Sequence, residues 1–150
     1  MAKKTAVKWF FDSSVLVPAC LPDHVHHARS FAAFAAARPQ NAGCAAHSLA
    51  EVYSTLTKYP GKERLSAEYA ALLVQQIEEK LTLVWLDGAE YRAAIQRMAS
   101  LGIVGGAVCD GLVAACAAKA RAHRLYTWNA RHFSLLGAEI QKLVTMPPVV

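Results

Sequence analysis

The sequence predicts an α/β sandwich, a three-layer α/β/α arrangement around a central, mainly parallel sheet of four to five strands. Short runs of β-branched and aromatic residues alternate along the chain with Ala-rich segments of helical period, the pattern of a sheet covered by helices. No repeat, low-complexity linker or shift of composition divides the 150 residues, so 1–150 is expected to be one domain.

Ala6 to Phe11 is a short, strongly apolar run and reads as a central strand buried on both faces. It ends on Asp12, followed by Ser13-Ser14 and by Val15-Leu16-Val17 before Pro18. A charge directly after a buried run needs water, a donor or a cation, which makes Asp12 a candidate strand-end ligand; a helix cap shared with the two serines is the structural alternative. Val25, Ala28, Phe31, Ala32 and Ala35 recur at helical spacing, predicting a helix over His24–Arg38 that Pro39 ends. Ala42–Ala46 is a poor strand by propensity, but a parallel strand should follow a first β-α unit.

Ser48 and Glu51 match the S-x-x-E capping box at the start of a helix, Leu49–Tyr59, which Pro60-Gly61 terminates. Lys62, Glu63 and Arg64 mark an exposed corner, and Ser66 starts the next helix. In Ala67–Lys80, Tyr69, Leu72, Leu73, Gln76 and Ile77 mark one face. Leu81–Leu86 is the clearest strand after the first. Asp87 caps Gly88–Leu101, with Tyr91, Ala94, Ile95 and Met98 inward. Ala107–Ala122 is a helix of small residues whose only acid, Asp110, meets the positive end of the helix dipole. Arg124–Thr127 is a strand, and Thr127 and Asn129 fall at its carboxyl end, where open α/β sheets bind ligands. Glu139–Val144 reads as an edge strand, and Met146–Val150 should fray.

With 55% apolar residues the chain can bury a core without disulfides or a structural metal. Its apolar runs are too short for a bilayer crossing and its amino end leads into a strand, so a soluble, cytoplasmic protein is expected, with no membrane association. A net charge of +5 and a pI near 9.2 favour a polyanion such as RNA, although Lys3, Lys4 and Lys8 at one end supply much of the excess. Cys20, Cys44, Cys109 and Cys116 form no CxxC pair and read as small buried hydrophobes with reduced thiols. The six histidines lack ligand spacing to them, so zinc is not expected, and His24, His26 and His27 read as a solvated helix start.

Asp12, Glu51 and Asp110 each stand where a strand ends or a helix begins. In a parallel sheet those places share one edge, so the three acids can converge. Converging carboxylates repel one another, and a hard divalent cation bound through oxygen, Mg²⁺ or Mn²⁺, resolves that repulsion. Such a cation suits phosphodiester hydrolysis, with Thr127 and Asn129 as neutral donors. Gly105-Gly106 has neither Walker nor GxGxxG spacing, and no Ser or Cys stands with a base in a nucleophile pattern.

Four stretches together resemble the motifs of PIN-domain ribonucleases, and among them the VapC-type toxins of bacterial toxin-antitoxin pairs. They are Phe-Phe-Asp12-Ser-Ser-Val-Leu-Val, Ser-Leu-Ala-Glu51-Val-Tyr-Ser-Thr-Leu, Gly-Gly-Ala-Val-Cys-Asp110-Gly-Leu-Val-Ala-Ala and Leu-Tyr-Thr127-Trp-Asn129-Ala-Arg-His-Phe133. The resemblance covers nearly the whole chain in order. It implies Mg²⁺- or Mn²⁺-dependent cleavage of RNA, a homodimer, and a cognate VapB-type antitoxin. By the same resemblance Asp12, Glu51 and Asp110 are the metal-binding acids and Asn129 takes the fourth position. Many members carry Asp there, so the neutral Asn129 weakens the case for a second metal. Ser13 and Thr127 are candidate supporting groups. Arg64, Arg92, Arg97, Arg121 and Arg131 are candidate phosphate contacts, with ordinary solvated arginines as the alternative. A non-catalytic PIN module acting as an RNA- or protein-binding scaffold is the alternative function. A DNA-directed nuclease of the related flap type fits less well, because those chains carry more acids and extra helical insertions.

Overall fold

The computed structural model of the chain describes residues 6–150, so Lys3 and Lys4 of the basic amino end lie outside the described residues. Strands β1 (Trp9–Phe11), β2 (Ala42–Ala45), β3 (Thr82–Val84), β4 (Arg124–Tyr126) and β5 (Val144–Thr145) form one sheet in the order β3-β2-β1-β4-β5. Every neighbouring pair is parallel, with Phe11 opposite Cys44 on one side and Tyr126 on the other. The chain's first strand is therefore its central one. All carboxyl ends consequently share one edge, and Asp12, Ala46 and Thr127 follow directly on three of them.

The helices lie on both faces. They are α1 (Ser13–Ala19), α2 (His27–Ala35), α3 (Ala46–Lys58), α4 (Ala67–Lys80), α5 (Gly88–Ser100), α6 (Ala107–Lys119), and the short α7 (Ala130–Phe133) and α8 (Ala138–Gln141). Alternation along β1 and β4 divides the core between the faces. Phe11 and Tyr126 pack with Val15, Leu16, Val52, Leu56 and Ile77 on the side of α1, α3 and α4. Phe10 and Leu125 pack with Met98, Val113, Ala117 and Phe133 on the side of α5–α7. The small residues of α6 let it lie close to its neighbours, as expected: a Cβ on Gly111 would come within 2.0 Å of Met98 Sδ. Glu90 near the start of α5 meets Lys119 at the end of α6 (2.7 Å), so these two helices run antiparallel.

Several boundaries differ from expectation for identifiable reasons. Helix α3 begins at Ala46, straight out of β2, so Ser48 lies inside the helix and forms no capping box with Glu51. The sheet, not the Ser48 side chain, decides where that helix starts. Helix α2 begins at His27 because the preceding residues form a turn in which His26 N–H donates to His24 Nδ1 (3.0 Å), a local bond that competes with helix. The buried face of α4 runs through Ala70, Leu73, Val74 and Ile77, while Tyr69 and Leu72 are exposed; on α5, Tyr91 and Ile95 are exposed and Met98 alone is fully buried. The Asp87–Glu90 capping box of α5 is present.

Glu139–Gln141 is a helical turn rather than an edge strand, entered through Gly137 at φ 104°; the edge strand is confined to Val144–Thr145. The last segment is docked through Pro147, whose carbonyl accepts from Arg29 Nε at 2.9 Å. All four cysteines are free, and burial pushes the Cys44 thiol up to about 12 and those of Cys20 and Cys116 up to about 11. Among the described residues no helix is long and apolar enough to cross a membrane.

Gly43 tests the tight approach of β2 to β3, because a Cβ there would stand 2.8 Å from the Thr82 backbone oxygen. Gly43→Ala should cost about 1–3 kcal/mol, read as a lower urea midpoint at unchanged slope. Gly88→Ala, where an added Cβ meets nothing within 4 Å, should not lower the midpoint.

Candidate active site

The shared carboxyl edge of the sheet brings together side chains from four elements. Asp12 leaves β1 with its carboxylate buried, 2% exposed, beneath the start of α1. Its side chain makes no capping hydrogen bond; instead one oxygen, Oδ2, accepts from Ser14 Oγ (2.7 Å) and from Thr127 Oγ1 (2.8 Å). Thr127, fully buried at the end of β4, also accepts from the Asn129 backbone N–H (2.9 Å). Ser14 in turn accepts from the Trp128 N–H (3.0 Å). These bonds tie the loop after β4 to the start of α1.

Glu51 lies in the second turn of α3, where its Oε2 accepts from Ser13 Oγ at 2.9 Å. Its Oε1 stands 2.7 Å from His47 Nε2, one helical turn earlier. Asp110 is in the first turn of α6, 19% exposed, with Oδ2 3.3 Å from His132 Nδ1 on α7. Asp12 feels the charge of Glu51, and Asp110 feels those of both Asp12 and Glu51. Asp12 is pushed up by burial and, secondarily, by Glu51, against the Ser14 and Thr127 hydrogen bonds that favour its charged form. Asp110 is pushed up to about 6 by burial first, then by Asp12 and Glu51, with His132 opposing. Burial, Glu51 and Asp110 together also raise the Cys109 thiol.

Asn129 is exposed and borders a groove of about 390 Å³, together with Ser13, His24, His26, Tyr59 and Trp128. His26 stacks on the Trp128 ring (3.8 Å between centroids) and the Arg29 guanidinium lies 5.0 Å from that ring's centre. The histidine cluster expected to be a solvated helix start is thus half-buried against the groove wall. A larger hollow of about 470 Å³ between α5, α6 and α8 is lined mainly by alanines and small residues. It carries Arg97 and Glu139 but no converging set of donors, so the smaller, polar groove is the chemically relevant one.

The candidate arginines separate into two groups. Arg131 on α7 neighbours Asn129 and His132, and Arg64 donates through Nε to the carbonyl of Tyr59 at the groove border (3.0 Å). Arg97 points away from the groove, its Nη2 donating to the Leu136 carbonyl (3.4 Å). Arg92 lies near the start of α5, the end that Glu90 ties to the foot of α6. Arg121, at φ 54°, ends α6 at the opposite edge of the sheet from Asp110. The structure does not bring these last three to the acids, because α5 and α6 carry them down or across the far face. Ser14, His47, His132 and Trp128 are residues that sequence reasoning left without a role. Ser14, two residues after Asp12, and His47, four residues before Glu51 on one helix, carried a local signal; His132 meets Asp110 through tertiary packing.

The donors that could hold a cation at this edge are carboxylate oxygens from Asp12, Glu51 and Asp110. Burial, and after it the neighbouring carboxylates, raise the pKa values of Asp12 and Asp110, and oxygen-only donors suit a hard divalent cation such as Mg²⁺ or Mn²⁺.

Comparison with known proteins gives concordant findings. The family model described as PIN domain matches residues 9–137. Ribonuclease VapC27 of Mycobacterium tuberculosis is 37% identical over 120 residues, covering 80% of this chain and 83% of that protein. The crystal structure of Mycobacterium tuberculosis VapC20, a sarcin-ricin loop cleaving toxin, matches with a TM-score of 0.67 over 83% of this chain and 92% of that one. At 15% identity, that match shows the shared fold.

The raised Asp110 pKa sets a pH dependence in chelator-treated protein. The folded state holds this proton more tightly than the unfolded chain, so the contribution of Asp110 to stability is fully present below 3.8 and is lost as pH rises through about 6. Asp110→Asn removes that loss. Thermal melts in EDTA should show the variant above wild type at pH values above about 6, the gap closing toward about pH 4.

Proposed function

The chain belongs to the PIN-domain family, and from that premise we propose that it is a divalent-cation-dependent endoribonuclease of the VapC toxin type, working as one domain. The observation that carries the proposal is the gathering of Asp12, Glu51 and Asp110, from three separate elements, beside a polar groove. Their oxygen donor set would hold Mg²⁺, or Mn²⁺ in its place. Such a cation, when bound, supplies a Lewis acid that polarises the scissile phosphate and makes a water more acidic.

The protein's own groups do the positioning. Thr127 and Ser14 fix one oxygen of Asp12, Ser13 fixes one oxygen of Glu51, and His132 restrains Asp110. Asn129, in the fourth position at the groove border, offers a neutral amide to a phosphate or to the attacking water. Arg131 and Arg64 flank the groove and supply cationic contacts to the RNA backbone on either side. Water adds to phosphorus and a P–O bond of the backbone breaks.

The substrate in this reading is structured RNA presenting an exposed loop, in keeping with the relatives' names and with the way proteins recognise RNA by shape and splayed bases. The chain would act in the cytoplasm as a homodimer, held inactive by a VapB-type antitoxin. A short neighbouring reading frame encoding a DNA-binding protein would support that partnership. The neutral Asn129 also suits the alternative of a non-catalytic scaffold, which need not bind metal; calorimetric titration with Mn²⁺ separates the two.

Purified protein should cleave RNA with Mg²⁺ or Mn²⁺ and stop on addition of EDTA. Asp12→Asn and Asp110→Asn should each lower the cleavage rate by a factor on the order of 10²–10³ or more without lowering Tm; undiminished cleavage by either variant would refute the assignment. Restoring the fourth acid with Asn129→Asp should tighten Mn²⁺ binding in the same calorimetric titration.

A further inference from the structure

Glu51 has two faces. Its Oε2 accepts from Ser13 Oγ, whereas Oε1 stands 2.7 Å from His47 Nε2. One ligating atom from each of His47, Glu51 and Cys109 lies within 4.8 Å of the others, although His47 and Cys109 come from different helices. His47 Nε2 and Glu51 Oε1 are shielded from solvent, and although 2.7 Å apart they complete no aligned hydrogen bond. Buried polar atoms are nearly always paired, and these two have only each other, beside a thiol. Imidazole, carboxylate and thiolate are the ligands of zinc rather than of magnesium. A tetrahedral zinc holds its ligand atoms roughly 3.3–3.8 Å apart. That spacing falls between the 2.7 Å of the His47–Glu51 pair and the 4.8 Å outer limit of the cluster.

We propose that His47, Glu51 and Cys109 form a zinc site next to the hard-cation site, and that zinc bound there inhibits the enzyme by withdrawing Glu51. On binding, the Cys109 thiol loses its proton to solvent and the sulfur lone pair forms the bond to zinc. His47 binds as the neutral imidazole, Glu51 through Oε1, and water fills the fourth position; no electron transfer is involved. The binding stands on the cluster alone, whereas the inhibition rests on the nuclease reading given above. The expectation that zinc has no site here came from spacing along the sequence, which does not show that His47 and Cys109 meet in the fold.

Cobalt(II) is the probe, titrated into the full chain with the thiols reduced. One equivalent should give a sulfur-to-cobalt charge-transfer absorption that zinc abolishes by displacement. His47→Gln and Cys109→Ser, changed on different helices and checked for wild-type melting, should each lose the absorption. In cleavage assays with Mn²⁺, equimolar zinc should slow wild type at least tenfold and leave Cys109→Ser essentially unaffected. Absence of the absorption in wild type, or its persistence in Cys109→Ser, overturns the site. Equal zinc sensitivity of wild type and both variants overturns the inhibition. Cobalt absorption lost in the variants, in a protein that cleaves no RNA under any condition, would uphold the site and defeat the nuclease reading.

Discussion

Asp12 carries its carboxylate into the interior at the end of the central strand, and much of the surrounding structure follows from what that burial demands. A carboxylate withdrawn from water is costly unless donors or a cation meet it. Two hydroxyls meet one oxygen: Ser14's comes from two residues on, and Thr127's arrives only because β4 pairs with β1 in a register that sets Thr127 beside Asp12. The remaining charges nearby, Glu51 and Asp110, make matters worse, since each adds repulsion. A fold whose only aim was stability would not place three acids at one edge. The arrangement makes physical sense as a receptor for positive charge.

Glu51 shows how a single helix position can be asked to serve two neighbours. Because α3 starts directly from β2 rather than at Ser48, Glu51 is rotated and lowered into the second turn, with His47 one turn above it and Ser13 across from it. Had the S-x-x-E box formed, the carboxylate would be folded back on its own helix start and unavailable to either side. The geometry around this residue therefore depends on the backbone of β2, a strand of Ala, Gly and Cys in which small residues permit close pairing on both sides.

The architecture was legible in the sequence where one signal dominated. Ala67–Lys80 and the Asp87 cap carried strong local patterning, and both were found where expected. The acids were legible as a set because parallel strands put element ends on one edge, an inference that needs order along the chain and no contact information. The misreadings arose where tertiary structure outranked local pattern. Ser48 looked like a cap and is buried inside a helix; Tyr91 and Ile95 looked inward by period and are exposed. Arg97 and Arg121 looked like phosphate contacts from charge alone, although one is bonded to the Leu136 carbonyl and the other closes α6 at the far edge. His132 could not have been grouped with Asp110 from spacing, since packing of α7 against α6 unites them, whereas His47 stands four residues before Glu51 on one helix and went unread.

The long separation of the central strand from one of its partners has a consequence in time. β1 must wait for β4, and the bond from Thr127 to Asp12 spans 115 residues of chain. At ribosomal rates of about 5–20 residues per second, roughly 6–23 seconds separate synthesis of the two partners. Throughout that interval Asp12 is an ordinary hydrated acid on a nascent chain, and the hydrophobic Trp9-Phe10-Phe11 segment lacks one of its two flanking strands. A product truncated before β4 would leave that edge of β1 uncovered and Asp12 without the Thr127 hydroxyl.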